Sequence, residues 1–212
     1  SADGAASTAV HVLYEELVAA LSDVVSGSTA RPVRAGTAEK KRITLLSGPG
    51  STPIAGEKCT AYNIHYTYNT DAMAAGTGLA VVQKGGKTWL FIVADYVFGK
   101  SLEAVTSKVV TAAGGKVIGD VKAPFPTTDF SSYLLQAQSS GAQVIGLANA
   151  GADTINAIKQ ANEFGITPKQ KLAGLLVFLY DVNSLGLATA KNTYLTTACY
   201  GGRGAGGRRG TK

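Results

Sequence analysis

The sequence predicts an α/β protein built on a doubly wound, mostly parallel sheet. Between Thr70 and Thr197, strand-length apolar runs alternate with segments of helical periodicity. Two of the predicted helices stop at glycine pairs, Gly85-Gly86 and Gly114-Gly115, where glycine readily takes the left-handed conformation that ends a helix. Because strands joined by helix-length connections pair in parallel, this alternation indicates a sheet with helices on both faces.

The elements follow one another in a regular order. We predict helices over residues 71–84, 100–113, 129–138, 153–164 and 182–188. We predict strands over residues 43–46, 88–94, 116–121, 144–148, 171–178 and 193–197. Asp129 and Asp153 stand at helix starts, where a carboxylate can accept hydrogen bonds from the free amides of the first turn. For Asp153 we expect this capping role rather than contact with an ammonium group.

The first 42 residues are the least regular part of the chain. Residues 10–25 can form an amphipathic helix with Leu13, Leu17 and Leu21 on one face. Residues 26–36 mix glycine, serine, proline and arginine without a period, so no element is predicted there.

The composition is that of a globular chain. Of the 212 residues, 45% are hydrophobic and 16% are charged, which argues against extensive disorder. No apolar run reaches the roughly 18 residues of a membrane span, and no signal peptide is visible, so we expect a soluble chain. The two cysteines, Cys59 and Cys199, lack the spacing of a zinc or redox motif. One disulfide and two separate thiols both remain open.

The positive charge is concentrated at the end of the sequence. Four basic residues in the last twelve account for most of the net charge of +6. This tail, residues 201–212, also contains six glycines, as RNA-binding segments do. It lacks the aromatic side chains on which bases stack, so we expect a solvated tail and no nucleic-acid partner.

Motifs of enzyme chemistry are weak. Gly99-Lys100-Ser101 resembles the end of a phosphate-binding loop, but Ala94 stands where that motif needs a glycine, and Asp95 would repel phosphate. No serine lies in a GxSxG sequence. His11 and His65 are not placed for metal binding. We therefore expect no enzyme activity, no metal and no cofactor.

Three predicted strands end in loops suited to a small ligand. The strand over 88–94 runs into the aromatic sequence 95–98, the strand over 43–46 into small residues 47–51, and the strand over 144–148 into 149–151. The carboxyl ends of parallel strands meet at one edge of a sheet, where ligands commonly bind. Tyr66 and Tyr68 suit either the wall of a binding site or ordinary strand packing.

Several long segments resemble one known family. LLSGPGS, FIVADYVFG, TTDFSSYLLQAQSSGAQVIGLANAGADTINAIKQANEFGI and KLAGLLVFLYDV occur in the order found in the substrate-binding proteins of branched-chain amino acid ABC transporters. These are the type 1 periplasmic binding proteins. The resemblance covers roughly residues 39–200 and is specific, because it extends over several segments.

The resemblance implies two Rossmann-like lobes that close on an amino acid or a related, including aromatic, carboxylate. It implies delivery of that ligand to a membrane permease, a periplasmic or extracytoplasmic location and no cofactor. Backbone amides and a hydroxyl of the 47–51 loop would hold the carboxylate. The ligand-binding residues that it implies are Ser47, Gly48, Gly50, Ser51, Tyr68, Asn69, Tyr96, Phe98, Asn149 and Gly151.

The resemblance also divides the chain. We predict a partial first lobe with an atypical N-terminal segment at residues 1–69, a ligand-binding lobe at 70–200 and the Gly/Arg-rich tail at 201–212. Residues 31–37 do not look like the family's helix. An incomplete first lobe would bind ligand weakly and leave an open edge that favours self-association into a homo-oligomer. The alternative function is an interaction module whose basic tail contacts an acidic partner.

Overall fold

The computed structural model describes residues 18–24 and 27–196, together with the separate positions 4, 7, 8, 11 and 12. The chain divides into two units, Ser1–Thr70 and Asp71–Lys212. Cys199 and the Gly/Arg tail lie outside the described residues, and so do the predictions made on them. Cys59 is an exposed free thiol.

The first unit is built on a three-stranded parallel sheet. Its strands are β1 (Ala20–Leu21), β2 (Ile43–Leu46) and β3 (Asn63–His65), in that order across the sheet. Helix α1 (Gly27–Glu39) joins β1 to β2, and a 3₁₀ turn follows β2 at Thr52–Ile54. The small core of this unit contains Val24, Ala30, Val33, Leu46 and Ile54.

The N-terminal prediction is wrong in two respects. Residues 18–24 are not helical, because Ala20 and Leu21 pair in parallel with Ile43 and Thr44 of β2. Residues 27–39 are helical, although no element was expected over 26–36. Burial explains the second error, since one face of this helix packs into the core and overrides the weak helix propensity of Gly and Pro. The buried positions of that face are Ala30, Val33, Arg34 and Thr37.

The second unit contains a five-stranded parallel sheet, which confirms the predicted fold class. The strand order is β5-β4-β6-β7-β8. The strands are β4 (Thr88–Ala94), β5 (Lys116–Ala123), β6 (Val144–Ala148), β7 (Lys171–Gly174) and β8 (Thr193–Leu195). The bounds of β4 and β6 are those predicted. The last strands are shorter than predicted, and the apolar residues 175–177 after β7 are buried without being strand.

Helices connect these strands. The connections are α2 (Thr70–Met73), a π-helical segment (Ala74–Leu79), α3 (Ala80–Gln83), α4 (Val97–Ala112), α5 (Ser131–Ser139), α6 (Ala152–Glu163), α7 (Leu179–Leu185) and α8 (Leu187–Ala190). The predicted helix over 71–84 is therefore interrupted by one wider turn. Helix α4 begins three residues earlier than predicted.

Strand β4 lies inside the sheet and is buried on both faces. Trp89, Phe91 and Ile92 are fully buried. The Trp89 indole donates a hydrogen bond to the Gly86 carbonyl at 2.8 Å, so its polar atom is satisfied. A continuous core cluster joins β4 to β6, α5 and α6 and includes Ile92, Leu134, Ile145, Leu147 and Ile158.

The π-helical segment packs against the end of β8. A Cβ atom at Gly76 would lie 2.5 Å from the Thr196 hydroxyl, so only glycine leaves room for this side chain. The hydroxyls of Thr77 and Thr196 share a hydrogen bond of 2.6 Å across 119 residues of sequence. The first helical segment and the last described strand of the unit are thereby joined.

Candidate functional site

The carboxyl ends of the second unit's strands bring aromatic and polar side chains to one edge of its sheet. Since every strand pair is parallel, the residues after β4, β5, β6 and β7 share this edge. We call it the carboxyl edge. It carries Tyr96 after β4, Phe125 after β5 and Asn149 after β6.

Tyr96 is the centre of an aromatic group on the carboxyl edge. Its ring stacks on Phe125 with centroids 4.6 Å apart and 28° between the planes. The Phe98 ring lies 6.0 Å away at a tilt of 37°. Phe98 stands in the first turn of α4 rather than in the loop predicted for it, because Tyr96 is already the N-cap residue. Phe125 is 53% exposed, so the stacked pair has an open side.

Asp153 lies in the first turn of helix α6, after β6, and does not cap that helix, contrary to the prediction. The N-cap of α6 is Gly151, and Asp153 is the second helical residue. Its carboxylate instead accepts a hydrogen bond of 3.1 Å from the backbone amide of Thr127, in the loop after β5. Asp153 is only 4% exposed, and this burial raises the pKa of its carboxyl above the ordinary range.

Tyr96 is electrostatically linked to the same carboxylate. Burial raises the pKa of the Tyr96 hydroxyl, and the negative charge of Asp153 raises it further. The Tyr96 hydroxyl and the Asp153 carboxylate therefore interact electrostatically at the carboxyl edge.

Asp129 is not the N-cap of α5, contrary to the prediction, because that position is Phe130, but its carboxylate still contacts the first helical residue. Its Oδ1 accepts hydrogen bonds from the Ser131 amide at 2.9 Å and the Ser131 hydroxyl at 2.5 Å. These bonds lower the pKa of the Asp129 carboxyl.

Asn149 follows β6 directly and is buried, with 1% of its surface exposed. Its Oδ1 accepts a hydrogen bond of 2.7 Å from the Thr154 hydroxyl. Its Nδ2 has no hydrogen-bond partner among the described residues. Gly151 has a φ of +59°, which favours glycine at this turn. Both predicted residues thus lie on the turn between β6 and α6.

The loop that carries Phe125 and Thr127 is held from helix α6. The Gln160 side chain donates to the Thr128 carbonyl at 2.8 Å and accepts from the Phe130 amide at 2.7 Å. One side chain therefore fixes both the exit of the loop and the start of α5.

Sequence reasoning missed four side chains of the carboxyl edge. Phe125 and Asp153 are described above. Phe178 and Tyr180, after β7, stack with centroids 5.5 Å apart and 25° between the planes. Tyr180 is 63% exposed. The signal for this pair was the FLY sequence directly after an apolar run, the same pattern that identified Tyr96 and Phe98.

The first unit presents the small-residue loop after β2. Three hydrogen bonds hold the carbonyls of this loop: Tyr68 Oη donates to Gly48 O at 3.0 Å, His65 Nε2 lies 2.7 Å from Pro49 O, and the Thr70 amide donates to Gly50 O at 2.6 Å. His65 is therefore a structural side chain. The predicted residues Ser47, Gly48, Gly50, Ser51 and Tyr68 come together here, with Asn69 half-buried beside Tyr68.

Some hydrogen-bond donors of the 47–51 loop already have an acceptor within the first unit. The Gly48 amide, expected to face a carboxylate, donates instead to the Val24 carbonyl at 3.2 Å. The Ser47 hydroxyl lies 3.5 Å from Asp23 Oδ1. Within the described part of the chain, the Ser51 hydroxyl has no hydrogen-bond partner. The Ser51 hydroxyl thus remains available to donate a hydrogen bond.

Within residues 18–24 and 27–196, no three His, Cys, Asp or Glu side chains gather where they could hold a metal ion. Among the helices described, none combines the length and the apolar character that a membrane span requires.

A parallel α/β unit with aromatic and polar side chains along its carboxyl edge belongs to the class of small-molecule-binding domains. A family model described as periplasmic binding protein matches residues 1–209 of this chain. The chain therefore belongs to the periplasmic binding protein family, as the sequence resemblance predicted.

Solved structures of this family are similar over nearly the whole chain. A periplasmic binding protein from Burkholderia mallei is 50% identical, with a TM-score of 0.90 over 98% of this chain and 56% of that one. A branched chain amino acid ABC transporter periplasmic ligand-binding protein from Burkholderia xenovorans LB400 is 36% identical, with a TM-score of 0.81 over 94% and 54%.

A third solved structure contains a ligand. It is an ABC transporter solute-binding protein from Rhodopseudomonas palustris HaA2 in complex with p-hydroxybenzoic acid. It is 25% identical, with a TM-score of 0.82 over 89% of this chain and 52% of that one.

A curated relative, Leu/Ile/Val-binding protein homolog 6 of Brucella melitensis biotype 1, is 27% identical over 118 residues. That match takes in 55% of this chain and 29% of the relative. The chain thus spans little more than half the length of the solved relatives and less of the curated one.

Proposed function

We propose that this chain is the ligand-binding part of an ABC-transporter solute-binding protein and that it binds an amino acid or a related aromatic carboxylate. The observation that carries this proposal is the carboxyl edge of the second unit, where the stacked Tyr96 and Phe125 rings share one sheet edge with the buried Asp153 and Asn149 side chains. Flat apolar faces beside a few fixed polar atoms are typical of sites for small organic molecules.

Each unit carries its own candidate ligand-binding residues. In the second unit, Tyr96, Phe98 and Phe125 would pack against the hydrophobic part of a ligand, and Asn149 and Gly151 would line its polar end. In the first unit, the Ser51 hydroxyl would be able to bind a carboxylate; Ser47, Gly48 and Gly50 lie in the same loop, and Tyr68 and Asn69 lie at the end of that unit. Amides and hydroxyls can bind a carboxylate without a full countercharge.

The relatives support this ligand class from two sides. One relative is described as a branched chain amino acid ligand-binding protein, and another contains p-hydroxybenzoic acid. We infer from the family that the ligand would pass to a membrane permease and that the chain would act in the periplasm. No enzyme activity, metal or cofactor belongs to this proposal.

The length of the chain affects the expected affinity. The 212 residues match 56% of the Burkholderia mallei structure, so that relative has more chain with which to contact a ligand. A ligand that stays partly in water loses part of the hydrophobic and hydrogen-bond contribution of a closed site. We therefore expect binding weaker than that of a family member of full length.

Isothermal titration calorimetry tests the proposal. Leucine, phenylalanine, benzoate and 4-hydroxybenzoate are titrated into the purified chain, with phenol and an aliphatic amine as controls without a carboxylate. Saturable binding of at least one carboxylate and of neither control is the expected result. A folded chain that binds none of the four carboxylates would contradict the proposal.

The alternative of an interaction module depends on the basic residues 201–212. These lie outside the described residues, and no contact within the described part of the chain supports it. Salt-dependent binding of an acidic protein that is lost on deletion of 201–212 would be its signature.

A further inference from the structure

Asp153 is a largely buried residue whose described hydrogen bond uses one of its two carboxylate oxygens. A carboxylate has two oxygens and can accept several hydrogen bonds. Within the described residues, Asp153 accepts one, through Oδ2 from the Thr127 amide. Its other oxygen, Oδ1, has no partner there and is not among the polar atoms sealed from solvent.

Helix geometry alone does not explain this arrangement. An aspartate in the first turn of α6 is favoured by the helix dipole, which accounts for the presence of a negative charge. The carboxylate of a capping aspartate accepts hydrogen bonds from the amides of its own helix, whereas that of Asp153 accepts one from the loop after β5. Burial outweighs the Thr127 hydrogen bond in setting the pKa, so the charged form is under-stabilised in the chain without ligand.

The residues around Asp153 indicate which group could donate a hydrogen bond to its Oδ1 atom. Tyr96 lies close enough for the Asp153 charge to raise the pKa of its hydroxyl, yet no hydrogen bond joins the two side chains in the described structure. The Thr154 hydroxyl is already used by Asn149. The Asp153 carboxylate is bonded to the Thr127 amide, two residues after Phe125, whose half-exposed ring stacks on Tyr96. The carboxylate is therefore held by the same loop that carries one ring of the stacked pair.

We propose that Asp153 is a specificity-determining residue that accepts a hydrogen bond from a hydroxyl or ammonium group of the ligand. This rests on the proposed function and narrows it to carboxylates that carry a second, hydrogen-bond-donating group. Benzoate and simple aliphatic acids would pack against the rings but leave Oδ1 unpaired. Leaving a buried acceptor unpaired in the complex has a cost that a ligand with a donor avoids.

Two ligand pairs, each differing by one donor, test this inference. 4-Hydroxybenzoate is compared with benzoate, and L-phenylalanine with 3-phenylpropanoate, by calorimetry on the whole chain. The first pair reports on a hydroxyl donor and the second on an ammonium donor. We expect wild type to prefer the donor-bearing member of at least one pair by about tenfold or more, the range of a hydrogen bond to a charged group.

Asp153→Asn is the decisive variant, because an asparagine oxygen can still accept from Thr127 while the other position becomes a donor. The preference should fall to about onefold or reverse, while the donor-free ligand keeps its affinity within about threefold. Asp95→Asn is the matched control, since Asp95 is also on the carboxyl edge but is exposed and paired with Lys100 at 2.7 Å. It should leave the preference unchanged.

The outcomes separate the two claims. Binding of the carboxylates without a preference, or a preference that survives in Asp153→Asn, overturns the role of Asp153 and leaves the proposed function standing. Absence of binding by folded wild type overturns both. An equal loss of affinity for all ligands in Asp153→Asn, with an unchanged melting temperature, would also overturn this role. Asp153 would then support the site without distinguishing ligands by their donor group.

Discussion

Gly99 and Ala94 lie so close that a side chain on the first would meet the backbone of the second. A Cβ atom at Gly99 would lie 2.2 Å from the Ala94 carbonyl oxygen and 2.9 Å from that of Ala148. The first turn of α4 thus rests directly on the ends of β4 and β6. This close packing of the helix start on the strand ends therefore positions Tyr96 and Phe98 at the carboxyl edge.

Gly99→Ala should therefore destabilise the second unit. Backbone oxygens cannot move aside as a flexible side chain can, so we expect a loss of about 1–3 kcal/mol in the free energy of unfolding. Urea unfolding followed by Trp89 fluorescence measures it. Gly119→Ala is the control, because its nearest neighbour, the Leu90 Cδ1 atom, is 4.0 Å from the added carbon. Equal stability of Gly99→Ala and wild type would contradict this close contact.

Tyr96→Ala should abolish or weaken ligand binding without unfolding the chain. The variant removes the stack on Phe125 and the contact with Phe98. An aromatic contact contributes about 1 kcal/mol beyond the area that it buries, so we expect a loss of affinity of about fivefold or more. Leu187→Ala, at a side chain 81% exposed, serves as control. Unchanged calorimetric affinity in Tyr96→Ala would remove the aromatic group from the proposed site.

Gln160→Ala should loosen the loop that carries Phe125. The two hydrogen bonds to Thr128 and Phe130 are lost together, at a cost of about 1–2 kcal/mol. Amide hydrogen exchange over residues 124–130 should quicken, and affinity should fall because the Phe125 ring is held less well. Lys159→Ala, at the exposed neighbouring position, should change neither quantity. Unaltered exchange in the loop would show that Gln160 does not hold it.

Asp153 should make stability depend on pH with an unusual sign. Burial raises the pKa of this carboxyl above its ordinary value of 3.8. The folded chain then keeps the proton at pH values where the unfolded chain has lost it. The stabilisation from protonated Asp153 is therefore complete below pH 3.8 and is lost as the pH rises through the raised folded-state value.

Asp153→Asn removes this term, so the variant should gain on wild type in urea unfolding as the pH rises from 3.8 towards neutrality. Asp129→Asn is the control of opposite sign. Hydrogen bonds from Ser131 lower the pKa of Asp129, so wild type should gain on that variant as the pH rises towards the ordinary value of 3.8 and keep the advantage above it. A wild-type advantage over Asp153→Asn that is the same at every pH would argue against the raised pKa.

The sequence was most informative where local and tertiary preferences agree. The strand of residues 88–94 is apolar throughout and ends at a helix start, and its predicted bounds are those observed. Tyr96, Asn149 and Gly151 could be placed after strand ends from this alternation alone, whereas Phe98 lies in the first turn of α4. Their role in binding stays a prediction.

Long-range contacts explain the errors. Helix α1 contains Pro32 and Gly36, and only the burial of Val33 and Thr37 against the first sheet outweighs their low propensity. The Asp153 carboxylate bonds to Thr127, 26 residues earlier, which no local capping pattern can indicate. Phe125 lies beside Tyr96 because β5 pairs with β4. The periodicity of the sequence does not indicate which strands are neighbours in the sheet.

The hydrogen bond between Thr77 and Thr196 also has a topological meaning. It places the chain's entry into the second unit next to its last described strand. Breaking this hydrogen bond should therefore loosen the first helical turns and the last described strand of the unit together, although 119 residues separate the two threonines in sequence.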